Sequence, residues 1–275
     1  MKVHFSKMSG AGNDFVVIDN RSQKIKDGAK ISQLLCDRRW GIGADGLLLL
    51  ENSKKAAYRM MYYNADGSYG GMCGNGGRCI AAFAHQLSIA PSAHFFEALD
   101  FVYHANVNGN SVALRMKNPK AMQLNIQLSR DKKRIKCHFV DTGAPHVVLF
   151  LEELHGTNEI EKVDISGLGK WLRYHKRFRP AGTNVNVVEA HSTNSLKIRT
   201  YERGVENETL ACGTGAIAAA VVAAQLRGFE SPVRVLPKSG YELQVRFERQ
   251  GDGFRNVVLV GPAVVTFEGS IELNV

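Results

Sequence analysis

Residues 73–84, CGNGGRCIAAFA, and residues 212–223, CGTGAIAAAVVA, are two copies of one pattern. They align without a gap at an offset of 139 residues, which is about half of the 275-residue chain. At the same offset Tyr62 aligns with Tyr201, and each tyrosine lies at or next to the end of a β-rich run, eleven residues before its cysteine. Self-similarity at half-length predicts two like domains, each with a strand, a loop and a Cys-Gly-x-Gly helix.

Both repeated segments are rich in Ala, Ile, Val and Phe and nearly uncharged. A helix that is apolar on all sides is buried, so we expect each helix to be surrounded by a sheet. The N-terminus of such a helix, with its unsatisfied N–H groups, is then the polar feature of an otherwise apolar unit. Cys73 and Cys212 stand at these two points.

The rest of the chain is dominated by alternating or apolar β-rich runs. They lie at residues 15–19, 46–50, 58–63, 101–107, 111–116, 135–140, 146–151, 185–189, 196–201, 233–236, 241–247 and 257–260. Asn108-Gly109 predicts a hairpin, and several runs are too close for parallel crossovers, so we expect antiparallel or mixed sheets. Helices are expected at 29–39, 75–87, 166–178 and 214–227, the last ending at Gly228. The pattern predicts an α/β (α+β) fold that is not a doubly wound nucleotide-binding fold.

Composition and cysteine usage indicate a globular protein of a reducing compartment. Apolar residues make up 44% and charged residues 22% of the chain, with 27 Gly and 7 Pro, which excludes disordered, collagenous and coiled-coil classes. The longest apolar run, 216–224, is half the length of a membrane span, and the first residues contain no signal-peptide core. The cysteines are odd in number and widely spread, which favours reduced thiols in the cytoplasm and no membrane partner. They are Cys36, Cys73, Cys79, Cys137 and Cys212.

The formal net charge of +9 raises the alternative of a nucleic-acid-binding protein. Basic residues cluster twice, the second time among aromatic residues as in a surface that stacks bases and binds phosphates. The clusters are Arg130, Lys132, Lys133, Arg134 and Lys136, then Arg173, Lys176, Arg177 and Arg179 with Trp171, Tyr174 and Phe178. No nucleic-acid-binding motif frames them, so we interpret them as solvated faces, with steering of an anionic substrate as a milder role, and expect no specific nucleic acid partner.

The two repeated cysteines carry the functional hypothesis. The partial positive charge of a helix N-terminus stabilises a thiolate, which is a usable base or nucleophile. The glycines after each cysteine remove side chains, so that a small anion such as a carboxylate could approach the backbone N–H groups. A lone buried cysteine is more often a small core residue, and Cys36, Cys79 and Cys137 keep that interpretation. Two copies at equal spacing favour function for Cys73 and Cys212.

Two facing thiols suit the inversion of a stereocentre next to a carboxylate. If the halves pack about a pseudo-twofold axis, one sulfur removes the α-hydrogen as a proton and the other returns a proton to the opposite face. The helix N-termini would stabilise the charge that builds on the carboxylate. No familiar metal spacing, Walker motif or Rossmann signature is present, so we expect no metal and no cofactor.

Polar residues near the repeats are candidate substrate contacts, each with an ordinary alternative. Asn64 and Asp66 follow the strand before Cys73, where turn chemistry also explains them. Arg203 follows the strand before Cys212 and could bind a carboxylate with two hydrogen bonds, or pair with Glu202 at the surface.

An ordered set of motifs runs nearly end to end and resembles the diaminopimelate epimerases. The motifs are Gly12-Asn13-Asp14-Phe15, Gly41-Ile42-Gly43-Ala44-Asp45-Gly46, Tyr63-Asn64-Ala65-Asp66-Gly67-Ser68, Met72-Cys73-Gly74-Asn75-Gly76, Gly182-Thr183-Asn184-Val185-Asn186, Tyr201-Glu202-Arg203-Gly204 and Ala211-Cys212-Gly213-Thr214-Gly215. The resemblance implies two homologous domains, 1–118 and 119–262, each a mixed or antiparallel barrel-like sheet around a central helix, related by a pseudo-twofold axis. Residues 263–275 would return to the first domain.

The resemblance also implies an activity and its residues. It implies a cytoplasmic homodimer that interconverts LL- and meso-diaminopimelate without a cofactor, in the synthesis of lysine and peptidoglycan precursors. Cys73 and Cys212 would be the acid-base thiols, and His146 and Glu202 would assist the cysteines or the substrate α-amino group. The substrate-binding residues would be Asn13, Asn64, Gly74, Asn75, Asn184, Glu202, Arg203, Gly213 and Thr214.

Two positions depart from the family pattern. Ala144 stands where many members carry Asn, and Gly46 stands where some carry Gln, so two contacts to the distal end of the substrate are absent. Thr142 or a water is the candidate substitute. The nearest rival is a proline or hydroxyproline racemase, which also uses two cysteines. Such enzymes typically show Cys-Gly-His, whereas this chain has Cys73-Gly74-Asn75, and proline has no second amino-acid end for Arg203 and the asparagines to bind.

Overall fold

The computed structural model describes residues 1–131, 133–154 and 156–273. Lys132 of the first basic cluster and the last two residues of the predicted C-terminal segment, 274–275, lie outside the described residues.

The chain divides into two compact units. The first consists of Met1–Arg115 together with Val260–Val275, and the second of Met116–Leu259. The strands in chain order are β1 (Lys2–Gly10), β2 (Asn13–Asp19), β3 (Gly46–Glu51), β4 (Arg59–Asn64), β5 (Ala93–Ala98), β6 (Phe101–Asn108), β7 (Ser111–Arg115), β8 (Lys120–Arg130), β9 (Lys133–Asp141), β10 (Pro145–Phe150), β11 (Asn184–Ser192), β12 (Ser195–Glu202), β13 (Asn207–Thr209), β14 (Val233–Pro237), β15 (Leu243–Gln250), β16 (Gly253–Pro262) and β17 (Val264–Glu272). The α-helices are α1 (Gly28–Cys36), α2 (Gly74–Gln86), α3 (Ile165–Arg173) and α4 (Gly213–Arg227), with 3₁₀ turns at Leu151–Glu153, Ile160–Lys162 and Lys176–Phe178.

Strand pairing follows the same sequence in both units. In the first unit β1–β2 is antiparallel, β2–β3 parallel, β3–β4 antiparallel, β4–β5 parallel and β5–β6 antiparallel. In the second unit the corresponding pairs are β9–β10, β10–β11, β11–β12, β12–β14 and β14–β15, with the same directions. The helices α1 and α3 stand at equivalent places in this order. The prediction of two like domains with mixed sheets is therefore confirmed.

A buried helix lies at the centre of each unit. Helix α2 packs against β1, β2, β3, β4, β6 and β7, and α4 packs against β9, β10, β11, β12, β14 and β15. A Cβ at Gly77 would lie 2.8 Å from Met72 Cε and 2.9 Å from Leu114 Cδ2, so any larger residue would force these side chains to shift. Helix α4 ends at Gly228, whose left-handed φ of 69° disfavours other residues. Both helices are buried as predicted.

A second helical layer covers the other face of the sheet in each unit. Leu47 and Leu49 of β3 pack with Ile31 and Leu35 of α1, whereas Leu48 lies on the α2 side of the same strand. Burial on both faces explains why β3 is continuously apolar instead of alternating. In the second unit, β11 and α3 form the equivalent cluster.

Two predicted helices end earlier than expected. Helix α1 ends at Cys36 because the Asp37 carboxylate accepts hydrogen bonds from the backbone N–H groups of Arg39 and Trp40, both at 2.7 Å. Helix α3 ends at Arg173, and a separate 3₁₀ turn follows, with the His175 side chain accepting from Arg177 N at 3.2 Å.

Five strands were not predicted from the sequence, namely β1, β5, β8, β13 and β17. In β8 the half-buried residues Met122, Leu124, Ile126 and Leu128 alternate with exposed ones, so a period-2 signal was present. In β17 most residues are half-buried or exposed, and its pairing with β1 identifies it as a strand. The Asn108-Gly109 hairpin is confirmed, since Asn108 pairs with Ser111.

Candidate functional site

Cys73 and Cys212 are the N-cap residues of α2 and α4, as predicted. Both have extended backbone conformations, and neither sulfur caps its own helix. The carbonyl of Cys73 accepts the first helical hydrogen bond from Gly77 N at 2.7 Å, and that of Cys212 accepts from Ala216 N at 2.9 Å. The N–H groups of the first turn of each helix therefore lie beside a thiol.

The second glycine of each repeat has a packing role. A Cβ at Gly76 would lie 3.2 Å from Leu48 Cδ2, and a Cβ at Gly215 would lie 2.5 Å from Asn186 Oδ1. At Gly215 a Cβ would overlap the Asn186 amide, whereas at Gly76 the end of the Leu48 side chain would have to shift slightly. These glycines let the central helix approach the sheet closely.

In the first unit, Cys73 faces a side-chain amide. Its Sγ lies 3.7 Å from Asn13 Oδ1, and Asn75 Nδ2 donates to the same oxygen at 3.4 Å. Asn13 Nδ2 donates to Asp45 Oδ2 at 2.7 Å. Because a carboxylate only accepts, Asp45 fixes the orientation of the Asn13 amide and directs its oxygen toward Cys73.

A cluster of charged side chains lies next to the Asn13 amide. Arg38 Nη2 donates to Asp14 and to Asp45, each at 2.8 Å, and Lys7 Nζ lies 2.8 Å from Asp14. Burial raises the pKa of the Asp14 carboxyl, but hydrogen bonds from Arg38 and Lys7 outweigh burial and lower that pKa to about 2. Asp14 is thus held as an anion, and Arg38 fixes the positions of both carboxyl groups.

Arg78 is a fully buried guanidinium one turn inside α2, and sequence reasoning missed it. Its Nη2 donates to Asn75 Oδ1 at 2.9 Å and its Nη1 to Gly74 O at 3.3 Å. Its Nε donates to Pro262 O at 3.3 Å. Burial lowers the pKa of Arg78, and no ion pair between described residues joins it to a carboxylate. A buried positive charge therefore lies near the N-terminus of α2.

Asn64 lies at the end of β4, where Tyr62 Oη donates to its Oδ1 at 2.6 Å and its Nδ2 donates to Ser68 Oγ at 2.9 Å. The register places Asn64 opposite Gly46, next to Asp45. A Cβ at Gly46 would lie 2.6 Å from both Tyr62 Cε2 and the Tyr63 carbonyl oxygen. The Tyr62 ring therefore occupies the space beside Gly46 that a longer side chain would need.

In the second unit, His146 contacts Cys212 through Thr214. His146 Nε2 lies 2.9 Å from Thr214 Oγ1, which lies 3.5 Å from Cys212 Sγ. His146 is fully buried, and burial, aided by the charge of Arg203, lowers its pKa to about 3. The imidazole is therefore neutral at physiological pH. Thr142, the candidate substitute for the missing asparagine, donates instead to the Thr214 carbonyl at 3.0 Å.

Asn184 and Arg203 lie beside this histidine. Asn184 Nδ2 donates to Pro145 O at 3.1 Å, and its Oδ1 accepts from the backbone N of Arg203 at 2.8 Å. One guanidinium nitrogen of Arg203 donates to Ala181 O at 3.1 Å. Glu202, the last residue of β12, is half-buried beside Arg203.

The remaining missed residues are Asp45, Asn186 and Thr200. Asn186 is fully buried, and its Nδ2 lies 2.8 Å from Val147 O and 3.1 Å from His146 Nδ1. Asn184 and Asn186 are two positions apart on β11 and share one face, which was a signal available in the sequence. The other cysteines, Cys36, Cys79 and Cys137, are buried, and burial raises their pKa values to about 11, 12 and 12.

Comparison with known proteins places the chain in a family. The family model for diaminopimelate epimerase matches residues 5–119 and 138–266. A diaminopimelate epimerase from Chlorobaculum tepidum is 46% identical over 270 residues, covering 97% of this chain and 100% of the relative. One from Archaeoglobus fulgidus is 35% identical, covering 100% and 98% of the two chains. This chain belongs to the diaminopimelate epimerase family.

Solved structures share the fold of this epimerase family member at low sequence identity. A hydroxyproline epimerase from Agrobacterium vitis superposes with a TM-score of 0.73 and 15% identity, covering 99% of this chain and 93% of that one. A PhzF-family phenazine biosynthesis protein from Bacillus anthracis gives a TM-score of 0.73 and 12% identity, covering 99% and 100%. The fold class is thus confirmed, while the sequence relationship separates this chain from the hydroxyproline type.

Among the described residues, 1–131, 133–154 and 156–273, no helix has the length and apolar character needed to cross a membrane.

Proposed function

We propose that this member of the diaminopimelate epimerase family interconverts LL- and meso-2,6-diaminopimelate by proton transfer at the α-carbon. The observation that carries the proposal is a thiol at the N-terminus of a buried helix in each unit, with asparagine and histidine side chains around it. The reaction supplies the precursor of lysine and of the peptidoglycan cross-link.

The proton transfer needs one thiolate and one thiol among Cys73 and Cys212. The thiolate removes the α-hydrogen as a proton, and the electron pair of the broken C–H bond delocalises onto the α-carboxylate. The other cysteine gives its thiol proton to the opposite face, so that the stereocentre inverts and the two sulfurs exchange protonation states. No cofactor is part of this scheme. It requires that both sulfurs reach one α-carbon.

The helix N-termini stabilise the carboxylate on which charge builds. Gly74 and Asn75 in α2, and Gly213 and Thr214 in α4, supply first-turn N–H groups that are already oriented by the helix. Preorganised donors of this kind are the largest single contribution to many reactions that develop an oxyanion.

The distal amino-acid end of the substrate requires further polar contacts. Asn13, Asn64 and Asn184 offer amides, and the Arg203 guanidinium can pair with the distal carboxylate. Glu202 would assist a cysteine or bind the α-amino group, as the family resemblance implies. His146, being neutral, acts as a hydrogen-bonding group near Cys212 instead of as a charged acid.

Solvent deuterium exchange tests the proposed activity. The protein is incubated in deuterium oxide with diaminopimelate, proline or lysine, and α-deuteration is followed by proton NMR. We expect exchange in diaminopimelate alone. Exchange in proline with none in diaminopimelate would reject the substrate assignment in favour of the racemase alternative.

Mild oxidation tests the requirement that both sulfurs reach one α-carbon. If both sulfurs reach one α-carbon, we expect the thiols to form a disulfide when substrate is absent. We expect peptide mapping of the oxidised, inactive enzyme to find Cys73 joined to Cys212, with protection by diaminopimelate. Inactivation with both thiols still free contradicts the scheme.

We further propose a homodimer, on the family resemblance, and a cytoplasmic location, on the cysteine usage. We propose no specific nucleic acid partner, because no binding motif frames the basic clusters. Part of the second basic cluster is engaged within the protein, since Arg173 pairs with Glu206 at 2.9 Å and Arg177 donates to Gln123 at 2.7 Å. Sedimentation velocity measures the oligomeric state. A salt-dependent shift with polynucleotide would reveal nucleic acid binding, which we expect to be weak and nonspecific.

A further inference from the structure

We propose that Asn186 holds His146 as the tautomer protonated at Nε2, and thereby makes the Thr214 hydroxyl a hydrogen-bond donor to the sulfur of Cys212. Asn186 and Thr200 are then positioning residues that act on the site through His146. The tautomer stands independently of the proposed function, and its consequence for proton transfer at Cys212 rests on that function.

The neighbours of the Asn186 amide fix its orientation. A backbone carbonyl accepts hydrogen bonds and never donates, so the Asn186 atom 2.8 Å from Val147 O is the NH₂ group. The opposite end agrees, because Thr200 Oγ1 donates to Asn186 Oδ1 at 3.0 Å. The second N–H of the amide therefore points at His146 Nδ1, 3.1 Å away.

The orientation of the Asn186 amide determines which nitrogen of His146 carries the proton. A neutral imidazole carries one N–H, and Nδ1 accepts from Asn186, so the proton lies on Nε2. Nε2 then donates to Thr214 Oγ1 at 2.9 Å. Asn184 Nδ2 lies 3.4 Å from the same nitrogen, but Pro145 O and Arg203 N fix that amide as a donor as well. Two donors face each other there, which agrees with the longer distance.

The protonated Nε2 of His146 in turn orients the Thr214 hydroxyl. Its oxygen accepts from His146, so its single hydrogen is available for Cys212 Sγ at 3.5 Å. A hydrogen bond donated to a sulfur favours the thiolate over the thiol. The neighbouring charged group that faces His146 is Arg203, which disfavours a second proton on the ring.

Gly215 leaves the room that the Asn186 amide occupies. A Cβ at this position would lie 2.5 Å from Asn186 Oδ1, so any other residue would displace the amide that sets the tautomer. The second glycine of the Cys212 repeat is therefore explained by the amide that sets the tautomer.

Nitrogen NMR of the intact protein tests the tautomer. With ¹⁵N-histidine labelling, long-range proton–nitrogen correlation separates protonated from unprotonated ring nitrogens, and the His146→Gln variant identifies the signal. We expect Nε2 protonated and Nδ1 unprotonated, unchanged between pH 5 and pH 9. A ring protonated at Nδ1, or at both nitrogens, overturns the proposal.

Asn186→Asp tests the positioning role. A carboxylate accepts from Nδ1–H, so we expect the other tautomer, a Thr214 hydroxyl turned toward Nε2, and a kcat for diaminopimelate about tenfold lower with KM unchanged. Asn184→Asp is the control for the tautomer measurement alone, because it adds the same charge beside Nε2 and should retain the Nε2–H tautomer. An unchanged tautomer in Asn186→Asp, or a changed tautomer with unchanged kcat, contradicts the proposal.

The experiments separate this inference from the proposed function. The tautomer is measured without substrate, so a protein that fails to epimerise diaminopimelate still gives a decisive spectrum. If Asn186→Asp does not fold, the wild-type nitrogen spectrum alone shows whether His146 is protonated at Nε2.

Discussion

The two units share one backbone plan, yet they surround their cysteines with different chemistry. Cys73 faces an amide oxygen that Asp45 holds in place, and α2 carries the buried charge of Arg78. Cys212 faces a hydroxyl that His146 orients, and the residue of α4 equivalent to Arg78 is the apolar Ile217. The helix and its N-cap cysteine are the same in both units, whereas the polar residues around the two cysteines differ.

This divergence matters because a two-base reaction needs its two thiols in opposite protonation states. The Asn13 oxygen is a hydrogen-bond acceptor and matches a thiol at Cys73, whereas the Thr214 hydroxyl is a donor and matches a thiolate at Cys212. The charge of Arg78 favours any anion that comes to the N-terminus of α2, such as the substrate carboxylate.

The largest effect is expected from removing either cysteine. Cys73→Ala and Cys212→Ala should each lower the epimerisation rate by about 1000-fold or more, because either loss leaves one proton transfer without its group. Cys79→Ala, in the same helix as one of them, should retain activity within a few-fold. Epimerisation is followed by polarimetry. Full activity in either N-cap variant would refute the two-thiol mechanism.

Glycine substitutions should affect the two units unequally. Gly215→Ala places a Cβ against the hydrogen-bonded Asn186 amide, and we expect a loss of about 3 kcal/mol in unfolding free energy. Gly76→Ala meets the mobile end of Leu48 at 3.2 Å and should cost about 1 kcal/mol. Urea unfolding measures both. Equal losses would show that the Asn186 amide can move freely.

The buried His146 should make the unfolding free energy depend on pH. Its pKa is lowered from 6.5 to about 3 in the folded protein, so the unfolded chain binds a proton first as pH falls. Stability from this group is complete above pH 6.5 and is lost as pH falls toward 3. Between pH 7 and pH 5 we expect a loss of about 2 kcal/mol that is absent in His146→Gln.

Tryptophan fluorescence can follow this loss in the second unit alone. Trp40→Phe removes the exposed tryptophan of the first unit and leaves Trp171, which packs against the α3 cluster. The same slope in wild type and His146→Gln would mean that the ring accepts a proton while folded.

The smallest effect is expected from Arg78→Met. This change removes charge-assisted hydrogen bonds to Asn75 and Gly74 near the substrate carboxylate, so KM should rise about tenfold. Ile217→Met is the matched control in α4 and should leave KM unchanged. Steady-state kinetics gives both values. A lower kcat at constant KM in Arg78→Met would assign the charge to the thiol instead of the carboxylate.

Local sequence signals were enough to predict the duplicated plan. The two Cys-Gly-x-Gly segments, their apolar helices and the Gly228 cap follow from spacing and composition, and the structure confirms them. The side-chain partners of the two cysteines could not be predicted from the sequence, because they depend on which residues of neighbouring strands pair with each other. The parallel pairing that sets His146 beside Asn184 and Val148 beside Asn186 brings together residues 38 apart, which no local pattern specifies. Arg78 was missed because arginine is rarely buried without a countercharge.

The pairing of β17 with β1 has a consequence for synthesis on the ribosome. Strand β1 is made first, but its partner β17 emerges only after every residue of the second unit has been translated. The second unit can complete its sheet while β1 still presents a bare edge to other nascent chains. We therefore expect β1 to gain this partner only after the second unit has been made, and to depend on β17 for the protection of its edge.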